Sequence, residues 1–211
     1  MSFPNAITPI CVAVFDIGDV LFVGHPQAAF FVRWARHLGI APEKLKELLW
    51  YGPDIEEVNI GAITAEEYCQ RCAARLGSEE AMVRALIEDA FSGERLNEEL
   101  TTYIWALRPR IQVVALTNNW SFGRTLIERR SITGLFDLIV SSAEEGVKKP
   151  HPRIYEIMLE RLGITPEEAV FVDDSAENVE AAHALGIYSI QFCSTEQTIS
   201  ELDALLSRHS D

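Results

Sequence analysis

Five short apolar runs punctuate the chain: Ile10–Asp16, Ile111–Asn118, Phe136–Ser142, Ala169–Asp174 and Tyr188–Phe192. They are rich in β-branched residues and almost free of charge until their last positions. That pattern predicts strands buried on both faces rather than strands with one wet side. Amphipathic stretches with helical spacing lie between them, over Ser121–Arg130, Pro152–Leu162, Ala176–Leu185 and Glu196–Ser207. Pro152 sits where a first helical residue is expected, and Thr165-Pro166-Glu167 marks a short turn. Strand–helix alternation of this kind predicts an α/β fold, a parallel sheet with helices flanking both faces. One region breaks the alternation. From about Pro26 to Leu107 the strong patterns are helical, near Pro26–Leu38, Pro42–Trp50, Ala65–Leu76, Glu79–Phe91 and Asn97–Leu107. This predicts a helical insert after the first strand, with the last of its helices rejoining the sheet. Thr64 and Glu67 have the spacing of a capping box at the start of one insert helix.

The ends of the strands then stand out. Asp16 ends the first, Thr117-Asn118 the second, and Asp173-Asp174 the fourth, while Lys149 lies in the loop after the third. In open α/β sheets ligands bind beyond the carboxyl ends of the strands, so these residues converge on one rim. Composition narrows the chemistry. The 211 residues are 48% hydrophobic and 24% charged, ordinary for a globular chain, with a net charge of −14. An acidic surface disfavours nucleic acid and anionic membranes but leaves small anionic substrates open. No apolar run reaches the ~18 residues of a membrane span, and the start MSFPNAITPI is unlike a signal peptide; a cytoplasmic protein is expected. Cys69 and Cys72 form a CxxC within a helical pattern, with neither the second pair of a zinc site nor the strand context of a redox site. They read as reduced, packed thiols. The sequence does not indicate an oligomeric state.

Four motifs carry a family resemblance. FDIGDVL (Phe15–Leu21), ALTNN (Ala115–Asn119), GVKKPHPRIY (Gly146–Tyr155) and VFVDDSAENV (Val170–Val179) occur in the order, and resemble the four motifs, of the haloacid dehalogenase superfamily, whose members are mostly phosphatases. The resemblance implies a Rossmann-like core at residues 1–24 and 96–211 and a small helical cap domain at 25–95 that shapes substrate choice. It also implies roles. Asp16 would be the nucleophile, forming an aspartyl phosphate, and a ligand of Mg²⁺. Gly18 would offer its carbonyl to the metal, Asp174 its carboxylate directly, and Asp173 would bind through water or position its neighbours. Lys149 would neutralise a phosphate oxygen and Asp16, with Lys148 facing solvent. Thr117 and the Asn118 main-chain N–H would hold further phosphate oxygens, and Asn178 would brace the acidic corner. The implied partner is a small phosphorylated molecule.

The first motif departs from the family's phosphatases, which carry a second Asp where this chain has Gly18. That residue protonates the leaving group, a role worth roughly 10²–10⁴-fold in rate. Three readings follow. A phosphatase could act on a sugar 1-phosphate, acyl or aryl phosphate, whose leaving group needs little protonation. A metal-independent 2-haloacid dehalogenase needs no acid, but two adjacent acids beside Asp16 fit it poorly. A binding or regulatory protein could keep the fold without the activity. Asp19 and His25 are candidate substitute acids, although Asp19 fits a local turn role better and His25 a loop residue before a helix. Trp120, Trp50 and Tyr51 are candidate substrate contacts, and His151 stands where the family often has Asp.

Overall fold

The computed structural model describes residues 8–24, 26, 28–119, 128 and 132–209. Its centre is a five-stranded, all-parallel sheet. The strands are β1 (Val12–Phe15), β4 (Gln112–Thr117), β5 (Leu138–Ser141), β6 (Ala169–Asp173) and β7 (Tyr188–Gln191), in the spatial order β5-β4-β1-β6-β7. Successive residues of the central strands alternate between two cores. Ala13 and Phe15, Val113 and Ala115, and Val170 and Val172 face one side, with Leu100, Ile104, Leu202 and Leu206 packed on it. Val12 and Val14, Val114 and Leu116, and Ala169 and Phe171 face the other, under Ile154, Tyr155, Met158 and Ala182. Both faces are dry, which is why these strands are apolar without a polar alternation. The covering helices are α6 (Glu98–Leu107) and α10 (Thr195–Arg208) on the first side, and α8 (Pro152–Leu162) and α9 (Ala176–Ala184) on the second. The predicted helix at Ser121–Arg130 lies outside the described residues, apart from the helical Glu128.

Between β1 and β4 the chain leaves the sheet. It forms α1 (Ala28–Leu38), α2 (Pro42–Lys46), α3 (Pro53–Asn59), α4 (Ala65–Leu76) and α5 (Glu80–Ser92), which share their own apolar cluster around Phe31, Leu45, Leu49, Tyr68, Cys72 and Leu86. The capping box is present: Thr64 N–H donates to Glu67 Oε2 at 2.8 Å and Glu67 N–H to Thr64 Oγ1 at 3.1 Å. Cys69 and Cys72 are buried free thiols, and burial pushes the Cys72 thiol up to about 11, so both pack as neutral side chains.

The insert differs from the sequence expectation in three ways. The segment is not wholly helical, because β2 (Phe22–Val23) and β3 (Arg95–Leu96) pair antiparallel where the chain leaves and rejoins the core. The stretch expected as one helix at Pro42–Trp50 changes at Glu47 into a π-helical turn, Glu47–Tyr51. The helix α3 was hidden by the Gly52-Pro53 pair, which reads as a loop but is an N-cap followed by a first-turn proline. Its Asp54 is buried and lies 2.9 Å from Arg75 and 3.3 Å from Arg71 of α4, an ion-paired clamp between the two helices. Among the described residues no helix is long and apolar enough to cross a membrane.

Candidate active site

Asp16 follows β1 directly, and its main-chain N–H donates to Val172 O at 2.9 Å, so its position is fixed by the β1–β6 ladder. The chain then turns sharply. Leu21 and Phe22 N–H both donate to Ile17 O (3.0 and 2.9 Å), and Asp19 N–H donates to Phe22 O (2.8 Å). Asp19 takes a left-handed φ of 53°, a conformation that Asp tolerates better than most side chains. The two neighbouring strands bring Thr117 and Asp173 to the same rim.

Lys149 reaches this rim from the loop before α8, with a side chain only 1% exposed. Its Nζ lies 2.8 Å from Asp16 Oδ1 and 2.6 Å from Asp173 Oδ2. Burial disfavours the charged amine, but the two carboxylates outweigh it and hold the lysine pKa above its usual value. The loop is locked in place by Asn118. Its side-chain amide donates to Lys149 O (2.9 Å), and its Oδ1 accepts from Lys149 N–H (2.8 Å). Lys148 is half-buried at the surface, where its amine pairs with Glu56 of α3.

The two adjacent acids are not equivalent. Asp173 is fully buried, with Oδ2 on Lys149 and Oδ1 accepting from Ser175 N–H and from the Asn178 side chain, both at 2.9 Å. Asn178 thus braces Asp173, as expected from its place one helical turn on. Asp174 is the more exposed of the pair. Burial, with the charges of Asp173 and Asp19, raises its pKa. Burial also pushes Asp16 up to about 6, against the pull of Lys149 and with a further push from Asp173. Ligand oxygens of Asp16, Asp173 and Asp174 lie within 4.8 Å of one another. Three hard carboxylates with a single buried lysine leave an excess of negative charge, which adds to burial in raising the pKa values of Asp16 and Asp174. This donor set and this charge suit a divalent cation.

A cavity of about 340 Å³ opens in front of these groups. Asp16, Gly18, Asp19, Thr117, Lys149 and Asp174 line its head, and the insert supplies much of the rest. Trp50 is half-buried in that wall, edge-on to Phe31 at 5.5 Å between ring centroids. Tyr51 is 70% exposed and lies outside the lining. His151 caps α8, its Nδ1 accepting from Arg153 N–H at 3.2 Å. The candidates His25 and Trp120 lie outside the described residues. Sequence reasoning missed the apolar wall made by Leu49, Ile55, Ile87 and Phe91. Their helical spacing marks them as inward-facing, but nothing local separates a residue facing a cavity from one in a core.

The insert also touches the core beside the site. Ser142, at the start of the short helix α7 (Ser142–Glu145), donates from Oγ to Asn59 O at 2.5 Å, and its Oγ accepts from Asn119 N–H at 2.9 Å. Gly61, at φ +68°, crosses Ala143 so closely that an added Cβ would lie 2.1 Å from the Ala143 carbonyl oxygen.

Comparisons with known proteins agree with this architecture. The chain is 35% identical over 166 residues to mouse acyl-CoA dehydrogenase family member 10, covering 74% of this chain but only 15% of that protein. It is 28% identical over 196 residues to the sesquiterpene phosphatase astK of Aspergillus oryzae, covering 92% of this chain and 95% of the relative. It spans 38% of the pig bifunctional epoxide hydrolase 2, at 28% identity. Among solved structures, a predicted haloacid dehalogenase-like hydrolase from Porphyromonas gingivalis superposes with a TM-score of 0.77 at 26% identity, covering 93% of this chain and 98% of the other. A haloacid dehalogenase family enzyme from Bacteroides thetaiotaomicron, in complex with magnesium and inorganic phosphate, shares the fold with a TM-score of 0.75 at 20% identity, covering 86% and 93%. The model of the haloacid dehalogenase-like hydrolases matches residues 10–186, and the chain belongs to that family.

Proposed function

We propose that the protein is a Mg²⁺-dependent phosphatase of a small molecule, acting through an aspartyl phosphate on Asp16. The observation that carries this reading is the placing of Asp16: a carboxylate at the head of a cavity, 2.8 Å from a buried lysine and clustered with two further acids. The names of relatives support it, since astK is a sesquiterpene phosphatase, and a structural neighbour holds magnesium and phosphate. Residues 25–95 form the cap domain in this reading, over a core of 1–24 and 96–211.

The carboxylates of Asp16 and Asp174 and the Gly18 carbonyl would hold the metal, which when bound supplies positive charge between nucleophile and phosphate. Asp173 is a positioning residue, because both of its oxygens are already engaged by Lys149, Ser175 and Asn178. Asp16 attacks phosphorus, a P–O bond to the substrate breaks, and the leaving oxygen carries away the electron pair. Water then attacks the phosphorus of the aspartyl phosphate, releasing phosphate and restoring the carboxylate. Lys149, held protonated in the resting site by its two carboxylates, offsets charge on the phosphoryl oxygens. Thr117 and Asn118 complete the cradle. With Gly18 in place of an acid, substrates with good leaving groups are favoured, which are acyl, aryl and anomeric phosphates. Three clustered carboxylates facing one lysine argue against metal-free dehalogenation.

Acetyl phosphate and 4-nitrophenyl phosphate test the reading. Hydrolysis should require Mg²⁺ and disappear in Asp16→Asn, and acid quenching of the wild type should trap phosphate on Asp16. Release of chloride from 2-chloropropionate without metal, and no phosphate release, would reverse it.

A further inference from the structure

The cavity is chemically divided. Its head is acidic and polar, whereas Phe22, Leu49, Trp50, Ile55, Ile87 and Phe91 line it elsewhere. Tyr68 also lines it, but its hydroxyl is turned away and donates to Leu49 O at 2.8 Å. Among the described residues, the polar lining beyond the six head residues named above is Asn59, Glu94, Asn118, Asn119 and Asn178. Lys149 is the one cationic side chain among the described residues that line the space, and it is already shared by Asp16 and Asp173. A second anionic group on a substrate finds no further cationic side chain among the described lining residues. A polyol would bury hydroxyls against hydrocarbon, at a cost for each unpaired one.

Size sets a further limit. At about 30 Å³ for each water-sized unit, 340 Å³ holds about eleven such units. A phosphoryl group with its bridging oxygen takes about five, and a metal held at the head would take part of the remainder. We infer that the site takes a single phosphoryl group carried on a small, uncharged, apolar body, and that the insert's wall selects it. This rests on the phosphatase reading and narrows its substrate: a phenyl-sized aryl phosphate or a medium-chain acyl phosphate combines the apolar body with a good leaving group, whereas a sugar phosphate does not.

Acyl phosphates separate the two claims, because lengthening a saturated chain leaves the acidity of the departing carboxylic acid almost constant. With Mg²⁺ present and spontaneous hydrolysis subtracted, kcat/KM should rise from acetyl through butanoyl to hexanoyl phosphate. The expected gain is up to about fourfold per methylene, levelling once the space is filled. Succinyl phosphate, which replaces the terminal methyl of butanoyl phosphate by a carboxylate, should fall at least about tenfold below it. A flat series, or succinyl phosphate equal to butanoyl, overturns the inference while leaving the phosphatase reading intact. If no acyl phosphate is turned over, the phosphatase reading fails, and calorimetric binding of methylphosphonate against hexylphosphonate with Mg²⁺ still decides the pocket's preference. Hexylphosphonate should bind at least about tenfold tighter, and equal affinity overturns the inference. Ile55→Asn and Phe91→Asn, both at half-buried positions, should compress the hexyl-to-methyl ratio.

Discussion

Replacing Lys149 by Met tests the electrostatics of the site without any substrate. The change keeps most of the buried hydrocarbon stem and removes the charge that stands 2.8 Å from Asp16 and 2.6 Å from Asp173. Removing one partner from a buried ion pair costs about 3–5 kcal/mol, because the remaining charge is left unpaired. For a chain of this length that corresponds to a fall in Tm of about 6–20 °C. The pH dependence gives a sharper test. Burial already pushes Asp16 up to about 6 while Lys149 pulls it down, so without Lys149 its pKa moves higher still. An unfolded Asp titrates near ~3.9. Between that value and the raised native one, the folded state binds a proton that the unfolded state has lost, so stability falls as pH rises through this window. The deficit of Lys149→Met should therefore be largest near pH 8 and smaller near pH 5. Urea unfolding followed by tryptophan fluorescence, with a chelator present at both pH values, measures it. Adding Asp16→Asn should recover part of the loss at pH 8, since it removes one unpaired carboxylate. A deficit below about 1 kcal/mol, or one equal at pH 5 and pH 8, would refute this account of the charge cluster.

Other outcomes follow from the same geometry. Mg²⁺ at a hundred times its Kd should stabilise the protein by about 2.7 kcal/mol, seen as a rise in Tm that Asp174→Asn abolishes; an undiminished rise in the variant would exclude Asp174 as a ligand. Gly61→Ala should destabilise by about 2 kcal/mol or more, from the left-handed φ together with the overlap on the Ala143 oxygen, with increased protease cleavage near the α3–α4 turn; wild-type stability would refute the close crossing. Gly18→Asp should raise turnover of alkyl phosphates by roughly 10²–10⁴-fold and change acyl phosphate turnover little; equal effects on both would show that leaving-group protonation is not what Gly18 forgoes.

The parts legible in the sequence are those where one local rule is enough. Strands dry on both faces read as apolar runs, and the polar residue ending each run had to stand at a rim, which is how Asp16, Thr117, Lys149 and Asp173 could be grouped before any coordinates. Thr64 and Glu67 showed their capping box directly. What stayed hidden depends on partners far along the chain. Nothing near Lys148 announces its ion pair with Glu56, 92 positions earlier. Asp54 reads as a first-turn acid of an unseen helix until Arg71 and Arg75 bury it. The pairing of β2 with β3 involves two residues from each strand, too few for any periodicity to register. The difference between Asp173 and Asp174 rests on partners: the family resemblance implies which would bind a metal directly, and what the structure adds is that both Asp173 oxygens are engaged by Lys149, Ser175 and Asn178.

In the phosphatase reading, two features restrict the substrate from opposite ends. Gly18 acts on the reacting end: with no acid at that position, a scissile oxygen that leaves as a stable anion is favoured, as in a bond to a carboxylate, a phenolate or an anomeric oxygen. The insert acts on the remote end, where aromatic and aliphatic side chains return free energy only to a body that was costly to hold in water. Neither feature alone excludes the sugar phosphates, since an anomeric phosphate satisfies the first and small polar bodies can enter an apolar space without gain. Together they do, because an unassisted departure needs binding energy from the rest of the substrate to position the phosphoryl group. A sugar ring draws little of that energy from Leu49, Ile55, Ile87 and Phe91. The missing acid therefore makes the apolar wall matter more to turnover than it would in an enzyme that protonates its leaving group.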